Sequence, residues 1–285
     1  MVIDFNNIDT SKATKLLDFL HTNYASSEYS LEVRNFKAGK ELSNDAFREL
    51  IDLRCNGKKL SLINIDFSEC KNRARLFRNL HINELELTNV SFCDNADLSE
   101  YFYRSSVDRH NLNELDLSKV ANISLMFDAA VISNLDISNW NTESLVKASC
   151  SFSNYHADTM DFSRWNTSKL EDTTSMFKDC RVTALILDWE NIGSLVEMSK
   201  MFAYASIGYL SLRNMDMSKL SSKAVFMGSN IKTLDIRGAT LPDKDILMRK
   251  YWFNGATIES IVVSKPDDID TELFTMMHNK PNIIA

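Results

Sequence analysis

The sequence predicts an α/β solenoid of about nine strand–turn–helix repeats, each of roughly 20–30 residues, with a parallel sheet and capped ends. Three observations carry this. Phe77, Phe102, Phe127, Phe152, Phe177 and Phe202 fall at a constant interval of 25 residues, and Met227, Trp252 and Met277 continue it. Pairs of apolar residues separated by one polar residue precede them, as in Met160/Phe162, Leu185/Leu187 and Leu210/Leu212. A second apolar column, Val120, Leu145, Leu170, Leu195 and Leu220, keeps the same beat. A single globular core has no use for such a period. A stack of like units does, because each ring must be buried against the same position of its neighbours.

The elements follow in order. Residues 10–23 and 43–55 read as amphipathic helices around a strand at Tyr29–Phe36, with Asp9-Thr10-Ser11 and Ser43-Asn44-Asp45 as N-terminal caps. Residues 1–57 are therefore expected to cap the stack, residues 58–264 to form the repeats, and residues 265–285 to close the far end. The strands are expected at Ile65/Phe67, Leu85/Leu87, Leu115/Leu117, Leu135/Ile137, Met160/Phe162, Leu185/Leu187, Leu210/Leu212, Leu234/Ile236 and Ile261/Val263. Alternation at period two turns both members of a pair inward and the residue between them outward. Seven residues separate Leu145 from Phe152 and Leu170 from Phe177, which predicts two helical turns sharing one face. The return after Phe102 is five residues longer and predicts an expanded loop at about Ser105–Asn111. A short helix starting at Asp267–Asp270 is expected to carry Met276 and Met277.

Composition narrows the function classes. Hydrophobic residues make up 44% of the chain, enough to bury a core, so a folded chain is expected. The net charge of −7 argues against direct nucleic-acid or membrane-surface binding and leans toward a basic partner. Seven glycines and three prolines leave most turns to Asn, Asp, Ser and Thr, acting through side-chain bonds to the backbone. The five dispersed cysteines suit structural thiols in a reducing compartment. The first residues have neither the basic nor the apolar region of a signal peptide, and no apolar run approaches a membrane span, so a cytoplasmic protein is expected.

The strings Leu-Asp-Ile-Ser-Asn-Trp-Asn-Thr (135–142), Ser151-Phe152 and Met-Phe-Lys-Asp-Cys (176–180) resemble the 25-residue repeats of BspA-like leucine-rich-repeat proteins and mycoplasma lipoproteins. The likeness is good over residues 130–205 and looser on either side. It implies a right-handed, mostly parallel, leucine-rich-repeat-like solenoid used in adhesion or protein binding. Members of that family are typically exported, and an export signal is what this sequence lacks.

Catalytic motifs are missing. The five histidines share no repeat position, and no glycine-rich phosphate loop, nucleophile elbow or zinc motif occurs. Asp108-Arg109-His110 could serve acid–base chemistry but has the look of chance. No enzyme, cofactor or metal is expected. Binding is read from the outward columns of the sheet. One runs Asp66, Glu86, Asp116, Asp136, Asp161, Ile186, Ser211, Asp235 and Val262; the next holds Asp188, Arg213 and Arg237. Asp116, Asp136 and Asp161 either bond the turn hydroxyls or form an acidic stripe for a basic partner. Ile186, Trp189, Tyr209 and Arg213 have the composition of an interface hot spot. Arg104 and Arg109, in the expanded loop, form a second candidate. The reading is a non-enzymatic intracellular protein-binding scaffold. The rivals are a phage- or mobile-element-type inhibitor that occupies the basic groove of a nucleic-acid enzyme, and a surface adhesin fragment.

Overall fold

Strand after strand of the chain pairs in parallel with a strand one repeat away, the arrangement of a parallel-sheet β-solenoid of about nine turns. The computed structural model describes residues 2–4, 6, 30–37, 58–70, 72–243, 245–246 and 250–285. The helices expected at 10–23 and 43–55 lie outside them. Two compact units result, Met1–Leu135 and Asp136–Ala285.

In the first unit six strands pair in the order β1 (Val2–Asp4), β2 (Leu31–Lys37), β3 (Lys59–Phe67), β4 (His81–Phe92), β6 (Ser106–His110) and β8 (Val131–Ile132). A small second sheet joins β5 (Ala96–Asp97) to β7 (Val120–Asn122). In the second unit the six strands follow chain order: β9 (His156–Asp161), β10 (Arg181–Ile186), β11 (Ser206–Ser211), β12 (Asn230–Asp235), β13 (Thr257–Val262) and β14 (Asn282–Ile284).

The expected register holds in the second unit, where Met160, Leu185, Leu210, Leu234 and Ile261 align across β9–β13. It slips by five residues in the first. Ile65 aligns with Val90 and Phe67 with Phe92, whereas Leu85 and Leu87 align with Leu60 and Leu62. The strands are long enough to hold two apolar pairs each, so the pairs alone do not fix the register. The expanded loop expected at about Ser105–Asn111 is replaced by strand: residues 106–110 form β6, in register with His81–Leu85. Leu115/Leu117 and Leu135/Ile137 lie outside the strands.

The helices are the larger correction. Among the described residues the segments around the rings are tight corners instead. At one corner the N–H groups of Thr173, Ser175, Phe177 and Asp179 donate across to the carbonyls of Glu197, Ser199, Met201 and Ala203, at 2.8–2.9 Å. The intervening Met176, Lys178 and Cys180 donate to carbonyls three residues back. Alternate amides thus bond between turns and within the turn, and a helix cannot do this because its donors all point one way. The switch is made by left-handed residues two before and two after the ring, Ser175 (φ 55°) and Asp179 (φ 58°) here. Arg75, Glu100, Leu125, Cys150 and Lys200 occupy the first of these positions in other turns, and Asn79, Arg104, Ala129, Asn154 and Tyr204 the second. The left-handed conformation costs an ordinary residue about 1–2 kcal/mol. A backbone bond contributes roughly 0.5–1.5 kcal/mol, so the bonds between turns offset much of that cost.

The rings stack down each unit. Phe77, Phe102 and Phe127 lie near-parallel with centroids 5.2 and 5.5 Å apart. Phe152, Phe177, Phe202, Phe226 and Phe253 follow at 5.9, 5.9, 5.2 and 5.0 Å. The sequence interval pointed to Met227, Trp252 and Met277, but the ladder itself takes Phe226 and Phe253, because spacing contracts to 24 between β11 and β12 and widens to 27 between β12 and β13. Trp140 and Trp165 form a second stack at 6.4 Å. The C-terminal residues make 3-10 turns at Pro266–Asp268 and Thr271–Met276, the second capped by the Asp270 carboxylate, before β14.

Candidate binding face

Outward positions on the sheet of the second unit come into line as Asp161, Ile186, Ser211, Asp235, Val262 and Ile284. Beside this column Ala184, Tyr209 and Thr233 align, and Arg213 and Arg237 follow two residues after Ser211 and Asp235. The pairing brings the predicted Ile186, Tyr209 and Arg213 onto one face.

Two carboxylates brace that face. Asp235 is wholly buried on the sheet, a state a lone charge would not tolerate. The Tyr209 hydroxyl donates to it at 2.7 Å, and Arg237 donates through Nε (2.9 Å), Nη2 (2.5 Å) and its own amide (3.2 Å). Burial pushes the Asp235 carboxyl up, but the bonds from Arg237 and Tyr209 outweigh it and the net shift is downward. Burial, then the Asp235 carboxylate, raises the Tyr209 hydroxyl. Asp188 does the same for the adjacent turn. It accepts from the Ser211 hydroxyl, from the Arg213 amide (2.9 Å) and from Arg213 Nε and Nη2 (3.1 and 2.8 Å). Its carboxylate holds the Arg213 guanidinium above its ordinary range. The result is a tyrosine and two adjacent arginines whose side chains are already ordered while the arginines stay about half exposed. Such planar forks recognise carboxylates, carbonyls and aromatic faces.

The other predicted residues fall elsewhere. Trp189 is only 1% exposed and donates its indole N–H to the Phe162 carbonyl, as Trp165 does to Ile137; it is a core residue and not a surface anchor. The step from Leu187 to Trp189 is one residue shorter than that from Phe162 to Trp165, and Asp188, between Leu187 and Trp189, is left-handed (φ 43°). Asp116, Asp136 and Asp161 each accept the amide of the serine two residues on, at 2.8–2.9 Å. These bonds close the turns. The Ser138 amide, then its hydroxyl, lowers the Asp136 carboxyl. The expected column of acids does not form in the first unit, where Asp66 aligns with Ser91 and Glu86 with Ser61. Lys37 and Lys59 reach Asp66 and Glu86 there. Arg109 extends across to Glu84 at 3.0 Å, and Arg104 lies over the Tyr103 ring at 5.0 Å. His110 uses both ring nitrogens, Nε2 on the Ser133 carbonyl at 2.7 Å and Nδ1 on the Leu112 amide at 3.2 Å.

Asp188, Asp235 and Arg237 were not singled out by sequence. A signal existed: an Asp one repeat before an outward Arg, and Asp-x-Arg at 235–237. Among the described residues no group of three or more His, Cys, Asp or Glu gathers as a metal site, and no helix is long and apolar enough to cross a membrane.

Residues 96–214 match a family described as "Mycoplasma protein of unknown function, DUF285". No curated protein and no solved structure matches the chain.

Proposed function

We propose that this chain is a non-enzymatic protein-binding scaffold of the BspA-like, leucine-rich-repeat type, acting in the cytoplasm through the sheet face of its second unit. The observation that carries the reading is the bracing of Tyr209, Arg213 and Arg237 by Asp235 and Asp188. Side chains ordered before contact avoid about 0.5–1.5 kcal/mol each of ordering cost on binding. Tyrosine and arginine are also the residues that dominate protein interfaces. The match of residues 96–214 to a family described from Mycoplasma supports a repeat of that kind, while the leucine-rich-repeat and BspA-like identity is this proposal's own.

The test is affinity capture of host proteins on the immobilised chain at low and high salt, with two variant sets. Retention of one partner at high salt, lost in Arg213→Ala with Arg237→Ala, supports the reading. A nucleic-acid enzyme released by salt and lost in Asp116→Asn with Asp136→Asn and Asp161→Asn would replace it with the inhibitor. An unchanged profile in both variant sets would move binding off this face.

A further inference from the structure

A different surface of the second unit, the outer side of its ring corners, carries two large exposed aromatic residues. Tyr204 and Tyr251 hold left-handed backbone conformations (φ 59° and 56°), where bulky side chains are rare. Elsewhere the position of Tyr204 is filled by Asn79, Asn154 and Asp179, whose short polar side chains suit it, by Arg104 and Ala129, or by Gly228 and Gly255. Tyr251 takes the other left-handed position, held by Arg75, Glu100, Leu125, Cys150, Ser175, Lys200 and Ala224 in other turns. Both tyrosines are also turned outward, at 52% and 61% exposure. The Tyr204 ring lies along Gly228, where a Cβ would come within 2.6 Å of it, so the next turn leaves room for the ring. A large aromatic placed in a disfavoured conformation and then left in solvent contributes little to the core.

Lysines gather near these corners. Backbone bonds set Lys200 beside Lys223 and Ala224 beside Lys250. Both Lys200 and Lys223 are exposed, and no ion pair among the described residues involves either. Lys178 sits with its ammonium 6.0 Å from the Tyr204 ring centre while paired with Asp179 at 2.7 Å. This corner is cationic and aromatic in a chain whose net charge is −7. The equivalent corner of the first unit is built otherwise, with Arg75 and Arg78 both committed to Glu100.

We infer that the edge formed by Lys200, Lys223, Tyr204 and Tyr251 docks an acidic segment of a partner protein, separately from the sheet face. Charge complementarity selects the partner. A carboxylate-rich stretch would meet the lysines and lay its aliphatic stems on the tyrosine rings. A nucleic-acid strand would have to run on past Glu171, Asp172 and Glu197, on neighbouring positions of the same unit.

The experiment is fluorescence anisotropy of the whole chain with three labelled probes: a short peptide of glutamates interrupted by single leucines, its lysine counterpart, and an oligothymidine. The glutamate peptide is expected to bind, the others not, and binding should weaken with salt. Lys200→Glu with Lys223→Glu should weaken it about tenfold or more. Tyr204→Asn should weaken it about fivefold while raising the thermal midpoint, since asparagine suits the backbone there. A lowered midpoint for Tyr204→Asn would make the ring structural and overturn the inference. So would equal binding of both peptides, or glutamate-peptide binding that neither variant weakens. Oligothymidine binding lost in the lysine variant would assign the edge to nucleic acid.

Discussion

The two units use the same corner and the same ring ladder but finish their sheet faces differently. In the first unit the face is tied by exposed ion pairs from Lys37, Lys59 and Arg109, and by an amide ladder in which Asn89 donates to Asn64, Asn64 to Asn35 and Asn35 to Asp4. In the second unit the charges sink into the face, with Asp235 buried and Asp188 nearly so. Stacked rings and alternating corner amides are enough to hold a turn in place. The outward columns are then free to diverge, and in the second unit they carry the braced Tyr209, Arg213 and Arg237.

The comparison breaks most sharply at the rings. Phe177 touches Phe152, Phe162 and Phe202, so Phe177→Ala should cost about 3–5 kcal/mol through the cavity it leaves. Phe102→Ala, between Phe77 and Phe127, should cost a similar amount. Hydrogen exchange read by segment should show protection lost first within 136–285 for the former and within 1–135 for the latter, since turns couple to their neighbours. Equal loss across both units from either change would contradict two separately stabilised stacks. The next effect separates the faces. Asp235→Ala strands the Tyr209 hydroxyl and the Arg237 guanidinium, and about 2 kcal/mol should be lost, the range for a bond to a charged group. Glu84→Ala, at an exposed pair, should cost under about 1 kcal/mol in the same denaturant titration. If the two costs match, the bracing of the second face is not special.

Much of the fold was legible because burial leaves a period. Strand β14 was not expected, but strands β9 to β13 could be aligned from Met160, Leu185, Leu210, Leu234 and Ile261. The corners could not, because their left-handed positions hold Arg75, Leu125, Cys150 and Lys200, residues that carry no turn signature. Seven residues between two apolar anchors fit a helix and fit this corner equally well. In the first unit two apolar pairs per strand made the register ambiguous, and only hydrogen bonding decides it. The candidate face was half legible. The alignment of Ile186 with Ser211, beside Tyr209, follows from the apolar period, whereas the depth of Asp235 and Trp189 depends on neighbours that sequence does not show.

Smaller effects probe the first unit alone. Asn64 sits at φ 56° and both gives and takes an amide bond in its ladder. Asn64→Ala loses both bonds and keeps the disfavoured backbone, at a cost of about 1–2 kcal/mol. Asn64→Gly relieves the backbone and should recover about half, which separates strain from bonding. The last effect is set by pH. His110 accepts the Leu112 amide on Nδ1, so its other nitrogen carries the proton toward Ser133 and the ring is neutral. Burial, against the Ser133 bond, lowers its proton affinity below the ordinary value. A group that binds protons less well when folded stabilises the fold above its unfolded pKa, near 6.5, and loses that contribution as pH falls through the folded value. Amides of β6 and β8 should therefore lose exchange protection on acidification from neutral pH, once rates are corrected for intrinsic pH dependence. Imidazolium formation evicts the Leu112 N–H, so the loss should spread outward from that residue. His110→Asn, which offers an acceptor without titrating, should flatten the response; an unchanged response in that variant would place the pH sensitivity on another group.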